Sequence, residues 1–113
     1  MKNFSNRISE INVEANAFIE SKLKNKIILA TEEELEADED LLYELPCTSY
    51  VGKHGNYDEY SITSLERKDK NIVVHTAGRG EITGECETFT LDEVEGIAYL
   101  ADFIKDLPKK NFI

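Results

Sequence analysis

The chain has 113 residues, with 13 lysines and arginines against 23 acids and a net charge of -10. That length suits a single domain over residues 1–113, and an apolar share of 41% with five Phe and five Tyr is too rich for a disordered chain. A strongly acidic balance without a basic patch argues against direct nucleic-acid binding, and no apolar run approaches the roughly 18 residues of a membrane span.

Residues 4 to 25 read as a helix. Phe4, Ile8, Ile11, Ala15, Phe18, Ile19 and Leu23 recur at steps of three and four, and Arg7, Glu10, Glu14, Glu20 and Lys24 fall mostly elsewhere. Lys22, Lys24 and Lys26 cluster at its end, where cations complement the helix dipole. "KNKIILA" then reads as a short apolar linker, because Thr31 with Glu34 makes a capping box for a new start. A second helix is expected over residues 32–44. Leu35, Leu41, Leu42 and Leu45 would lie in one arc, with acids opposite. Pro46 closes it, since the residue before proline avoids the helical region.

The period then changes. Residues 47–52, 57–66, 71–77 and 82–90 read as four strands rich in Thr, Tyr, Val and Ile, joined by "KHGN", "RKDK" and "GRGE". Connections this short make an antiparallel meander. Placing Glu66 opposite Asn71 and Ala77 opposite Ile82 collects Tyr60, Ile62, Val73, His75, Ala77, Ile82 and Cys86 on one face, the expected core face. Thr63, Leu65, Ile72, Val74, Thr83, Glu85 and Glu87 fall on the other. Its apolar members would need cover from a loop, the acidic helix or a second subunit. Thr90 with Glu93 forms another capping box. Val94, Ile97, Ala98, Ala101, Ile104 and Leu107 then stripe a C-terminal helix that Pro108 ends. The tail "KKNFI" reads as frayed, with Phe112 and Ile113 able to dock. The expected fold is therefore α+β: two N-terminal helical segments, a four-stranded antiparallel β-meander, and a C-terminal helix packed on the sheet.

The charge is concentrated. Residues 31–45 hold eight acids and no base, and the rest of the chain holds fifteen acids against thirteen bases. On a continuous helix Glu32, Glu36, Asp40 and Glu44 form an i,i+4 ladder of like charges, each pair costing a few tenths of a kcal/mol. A face kept against that cost is a candidate contact surface. Its residues are Glu32, Glu33, Glu36, Glu39, Asp40 and Glu44, and its partner would be a basic protein. The plain alternative is a solvated helix that aids solubility.

Other chemistry is weakly signalled. Cys47, His54, His75 and Cys86 are a zinc set by type, but their spacing lacks the close pairs of structural sites, so no metal is expected. "GRGEITGE" lacks the spacing and strand-to-helix setting of a phosphate loop and reads as a hairpin turn, with Arg79 exposed at its tip. No nucleophile elbow, metalloprotease helix or dinucleotide fingerprint is present, so no enzyme and no cofactor are expected. The N-terminal stretch lacks an apolar signal core, and two cysteines make no disulfide framework; the expectation is a cytoplasmic protein with reduced thiols. The functional expectation is non-enzymatic binding to another macromolecule through residues 32–44, as an accessory or inhibitor of a basic nucleic-acid-handling protein. Two alternatives are a homodimer through the second sheet face, and a metal or catalytic domain built on the two cysteines and two histidines.

Overall fold

A computed structural model describes residues 4–51, 57–79 and 86–113, excluding the side chains of 4–11, 50, 51 and 57. Expectations on Phe4, Ile8, Ile11, His54 and residues 82–85 lie outside that description. The chain is α+β, with helices and a five-stranded, antiparallel sheet.

Helix α1 spans Phe4–Lys22. Ala15, Ile19 and Leu23 are buried at its expected spacing. Arg67, on the sheet face that α1 covers, ends the helix: Nη2 donates to the carbonyls of Leu23 at 2.9 Å and Glu20 at 3.2 Å, which the helix itself leaves unpaired.

The next stretch is a strand rather than a linker. β1, Lys26–Ile28, pairs with β3, Tyr57–Lys68, in the register Ile27↔Leu65. Ile27 is fully buried. The tail completes it from the other side. Ile113 donates its N–H to Lys26 O at 2.8 Å, and Asn111 Nδ2 donates to Ile28 O at 2.6 Å. The tail is therefore docked, not frayed. Three residues gain strand character from partners on both edges, which no local pattern announces.

The acidic stretch is two short helices instead of one. α2 runs Glu32–Ala37 and α3 Leu41–Glu44. The Thr31 box forms in both directions: Glu34 N–H donates to Thr31 Oγ1 and Thr31 N–H to Glu34 Oε1, each at 3.1 Å. The break is at Asp38, which is extended at φ -143° and ψ 97°. Its carboxylate accepts from Asp40 N–H at 3.1 Å, offering the backbone an alternative to the helix. The i,i+4 ladder is thereby cut. Of its three pairs only Glu32–Glu36 lies within one helix.

The meander is present as β2 (Cys47–Val51), β3 (Tyr57–Lys68), β4 (Asn71–Gly78) and β5 (Thr88–Thr90), with sequential antiparallel pairing. Its register differs from expectation in two places. The second turn is only Asp69–Lys70, with Lys68 opposite Asn71 and Asp69 at φ 54°, a left-handed conformation that Asp tolerates. A β-bulge then sits at Thr63, so Ile62 pairs with Thr76 but Ser64 with His75. One extra residue turns the second half of β3 over. The core face is consequently Tyr60, Ile62, Leu65, Ile72, Val74, Thr76 and Phe89, all buried. Val73, His75 and Ala77 lie half-buried on the outer face, and Cys86 is exposed. In β4 the expected faces are thus exchanged. Leu65, Ile72 and Val74 are interior, so the surface invoked for a homodimer is already covered by the chain itself.

The Thr90–Glu93 box heads a single 3-10 turn, Leu91–Glu93, and α4, Ile97–Lys105, starts after Gly96. A Cβ at Gly96 would stand 3.0 Å from Cys47 O, so the close passage of this corner over β2 favours glycine. Glu95 N–H donates to Thr48 Oγ1 at 3.3 Å at the same corner. Ile97, Leu100, Ala101 and Ile104 of α4 join Ala15 and Ile19 of α1, Leu23 just after it and the inner sheet face in one core. Complete burial of each leucine or isoleucine among them contributes roughly 1.5–3 kcal/mol.

Candidate partner-binding site

The acidic segment lies across the outer face of the sheet. Three groups hold it there. Leu42 is buried apart from the main core, Leu45 joins that core, and Leu35 and Leu41 pack half-buried against it. Ser61, on the outer face of β3 and fully buried, donates its hydroxyl to Leu42 O. Arg79 reaches back from the end of β4. Its Nε donates to Ser61 Oγ at 2.6 Å and its Nη2 to Leu45 O at 2.8 Å, with longer contacts to the carbonyls of Leu42 and Tyr43. Its guanidinium also stands over the Tyr43 ring, 5.7 Å from the centroid. Arg79 is therefore not a solvent-exposed turn tip. It satisfies the open carbonyls at the end of α3 and places a cation where helix and segment carry negative potential.

All six acids expected to bind a partner are exposed. The break at Asp38 divides them. Glu32, Glu36, Glu39 and Asp40 line one open groove of about 720 Å³ with Leu35, Leu42, Tyr43, Ala77, Gly78 and Cys86. Glu33 and Glu44 do not line it. The result is a trough with carboxylates along one side and apolar atoms below. Glu32, Leu35, Ala77 and Cys86 also line an adjoining hollow over the sheet, with Glu66, His75 and Glu87.

Glu66 accepts a hydrogen bond from His75 Nε2 at 3.2 Å and stands 3.7 Å from Lys68 Nζ. The His75 contact, joined by Lys68 and Lys26, holds the Glu66 carboxyl below the usual glutamate range against a smaller opposing effect of desolvation. This pair fastens β3 to β4 across the outer face.

Of the four metal candidates, Cys47, His75 and Cys86 are among the described residues. Cys47 is half-buried on β2 and Cys86 exposed before β5, both as free thiols. His75 is near Cys86 in the adjoining hollow. Among the described residues no three His, Cys, Asp or Glu side chains gather around one point. Among them also, no helix is long and apolar enough to cross a membrane.

Comparison with protein-family models, with curated proteins and with solved structures finds no match to this chain.

Proposed function

We propose that this chain works by non-enzymatic binding, receiving a basic segment of another protein in the groove beside α2 and α3. The observation that carries the reading is the convergence of Glu32, Glu36, Glu39 and Asp40 on one groove with an apolar floor. A lysine- or arginine-bearing segment with an apolar side chain between its cations matches both features. Carboxylates steer such a segment and fix its register, while the floor accepts the apolar group. The partner class that suits it is a basic nucleic-acid-handling protein whose positive surface the acidic segment would occlude, in the cytoplasm, with no direct contact between this chain and nucleic acid.

The break at Asp38 supports this over a purely solvated helix. A continuous amphipathic helix would point its acids away from the sheet, whereas the bent segment folds four of them around the groove. Cross-linking of the protein to partners captured at low salt tests the reading. Links joining partner lysines to Glu32, Glu36, Glu39 or Asp40 are expected, with capture declining steeply toward physiological salt as exposed charges are screened over roughly 8–10 Å. Links distributed evenly over all exposed acids would contradict it.

A further inference from the structure

Where α1, α4 and the tail meet, an open hollow of about 600 Å³ has Phe18, Leu107 and Phe112 in its floor. Lys22, Lys24, Lys105 and Lys109 stand around it, and among the described residues no acidic side chain lines it. The floor side chains are only half-buried, so apolar surface is left to water. Two ammonium groups converge on one ring: Lys22 Nζ and Lys105 Nζ lie 5.8 Å and 5.3 Å from the Phe18 centroid. Among the described residues Lys105 has one acidic neighbour, Asp102 at 3.4 Å, and both side chains are largely exposed.

We infer that this hollow binds a compact anionic amphiphile, with a carboxylate or phosphate head held by the lysines and an acyl or aromatic body on the Phe18 floor. Two features define the class. Four of the chain's thirteen cations come to one hollow from the end of α1, the loop after it, the end of α4 and a 3-10 turn at Lys109–Asn111. Their mutual repulsion is relieved by an anion, and charged donors make the stronger hydrogen bonds to one. The floor gains only from an apolar body. Size follows from charge. The chain as a whole carries -10. A membrane or a long acidic peptide would extend past the roughly 8 Å screening length and meet that charge, whereas a small ligand feels chiefly the four lysines. The volume is within the roughly 300–1,000 Å³ of small-molecule sites.

The test is an amide chemical-shift titration of the full chain with decanoate, 1-decanol, inorganic phosphate and, separately, phosphatidylglycerol vesicles. Decanoate should bind saturably below millimolar concentration, with shifts concentrated in residues 18–24 and 104–113. Decanol and phosphate should each bind at least about tenfold more weakly, since each lacks one half of the recognition. The double variant Lys22→Gln, Lys105→Gln should weaken decanoate by a similar factor. Neutralising Glu32, Glu36, Glu39 and Asp40 together should not weaken it, which separates this site from the acidic groove. Absence of saturable decanoate binding overturns the inference. So does equal binding of decanol, an unchanged affinity in the lysine variant, shifts centred elsewhere, or vesicles that bind while decanoate does not.

Discussion

Replacing Arg79 with Met removes the cation that fastens the acidic segment while keeping the length of its stem. The side chain makes two short hydrogen bonds, at 2.6 Å to Ser61 Oγ and 2.8 Å to Leu45 O, plus two longer ones and the stack on Tyr43. A hydrogen bond from a charged donor contributes roughly 1.5–3 kcal/mol when well made. Arg79 is half-buried, so water replaces part of what is lost. The longer contacts add little, and the aromatic stack about 0.5–1 kcal/mol. A destabilisation of roughly 2–4 kcal/mol is expected. With a urea slope of about 2 kcal/mol/M, the midpoint should fall by about 1–2 M. Amide exchange should locate the loss, accelerating at Leu42 and Tyr43 beyond the change at Leu65 or Val74. Arg79→Lys should recover less than half, because an ammonium lacks the planar fork that serves several acceptors. A midpoint shift corresponding to under about 0.5 kcal/mol, or exchange that accelerates equally in β3 and β4, would refute the role given to Arg79.

Three further outcomes follow from the fold. Ile104→Ala should cost roughly 2–5 kcal/mol and Val73→Ala under about 1 kcal/mol, since the first is in the core and the second half-buried on the outer face; urea titration showing the reverse order would exchange the sheet faces. Deleting Thr63 removes the bulge residue and leaves Ile62 and Leu65 two apart, both still facing the core on a regular ladder, so the deletion should keep a cooperative transition; it should cost more than Thr63→Ala, which loses only the hydroxyl bond to His75 O at 3.1 Å, about 1 kcal/mol, because Thr63 O also accepts from Leu29 and Ala30 N–H at 2.9 and 3.2 Å. Loss of the cooperative transition in the deletion variant would contradict the register. Glu93 is held below the usual glutamate value of 4.5, first by the Thr90 backbone N–H and then by its hydroxyl. A lowered folded value gives stability that is present above 4.5 and lost as pH falls through the folded value, so Glu93→Ala should lose less stability than the parent on acidification below that point; parallel acid limbs in the two proteins would count against it.

The parts of this structure written in local pattern were legible in the sequence. α1, both capping boxes, the meander and the C-terminal apolar stripe each follow from spacing or end chemistry within a few residues. The parts set by distant neighbours were not. β1 exists because β3 and the tail flank it, and "NKIIL" alone does not distinguish a strand from a linker. The bulge at Thr63 did leave a trace, since Ile62 and Leu65 are three apart in a strand where buried residues should be two apart. The two-residue turn left one as well, in an Asp placed where a left-handed residue is needed. The acids of the groove were readable as a charge run, but their division was not, because it depends on the Asp38 carboxylate turning back to Asp40 N–H. The opposing wall, Ala77, Gly78 and Cys86, comes from elsewhere in the chain. Arg79, a lone cation in the turn after β4, offered a signal only once the carbonyls of α3 were in place to receive it.

The groove itself is tested most directly by two variants with the same change in net charge. One carries Glu32→Gln, Glu36→Gln, Glu39→Gln and Asp40→Asn. The other carries Glu14→Gln, Glu20→Gln, Glu33→Gln and Glu44→Gln, all exposed and none lining the groove. Glu34 is kept in both to preserve the cap. Each should match the parent in stability within about 0.5 kcal/mol, because the only like-charge i,i+4 pair relieved within α2 is Glu32–Glu36 and the first-turn acids also favour the helix dipole. Proteins retained from native lysate at low salt and released by a salt step are then compared by mass spectrometry. Loss of the parent's partners by the first variant and their retention by the second is the predicted result. Equal retention by both, or equal loss from both, would contradict a groove that recognises its partner.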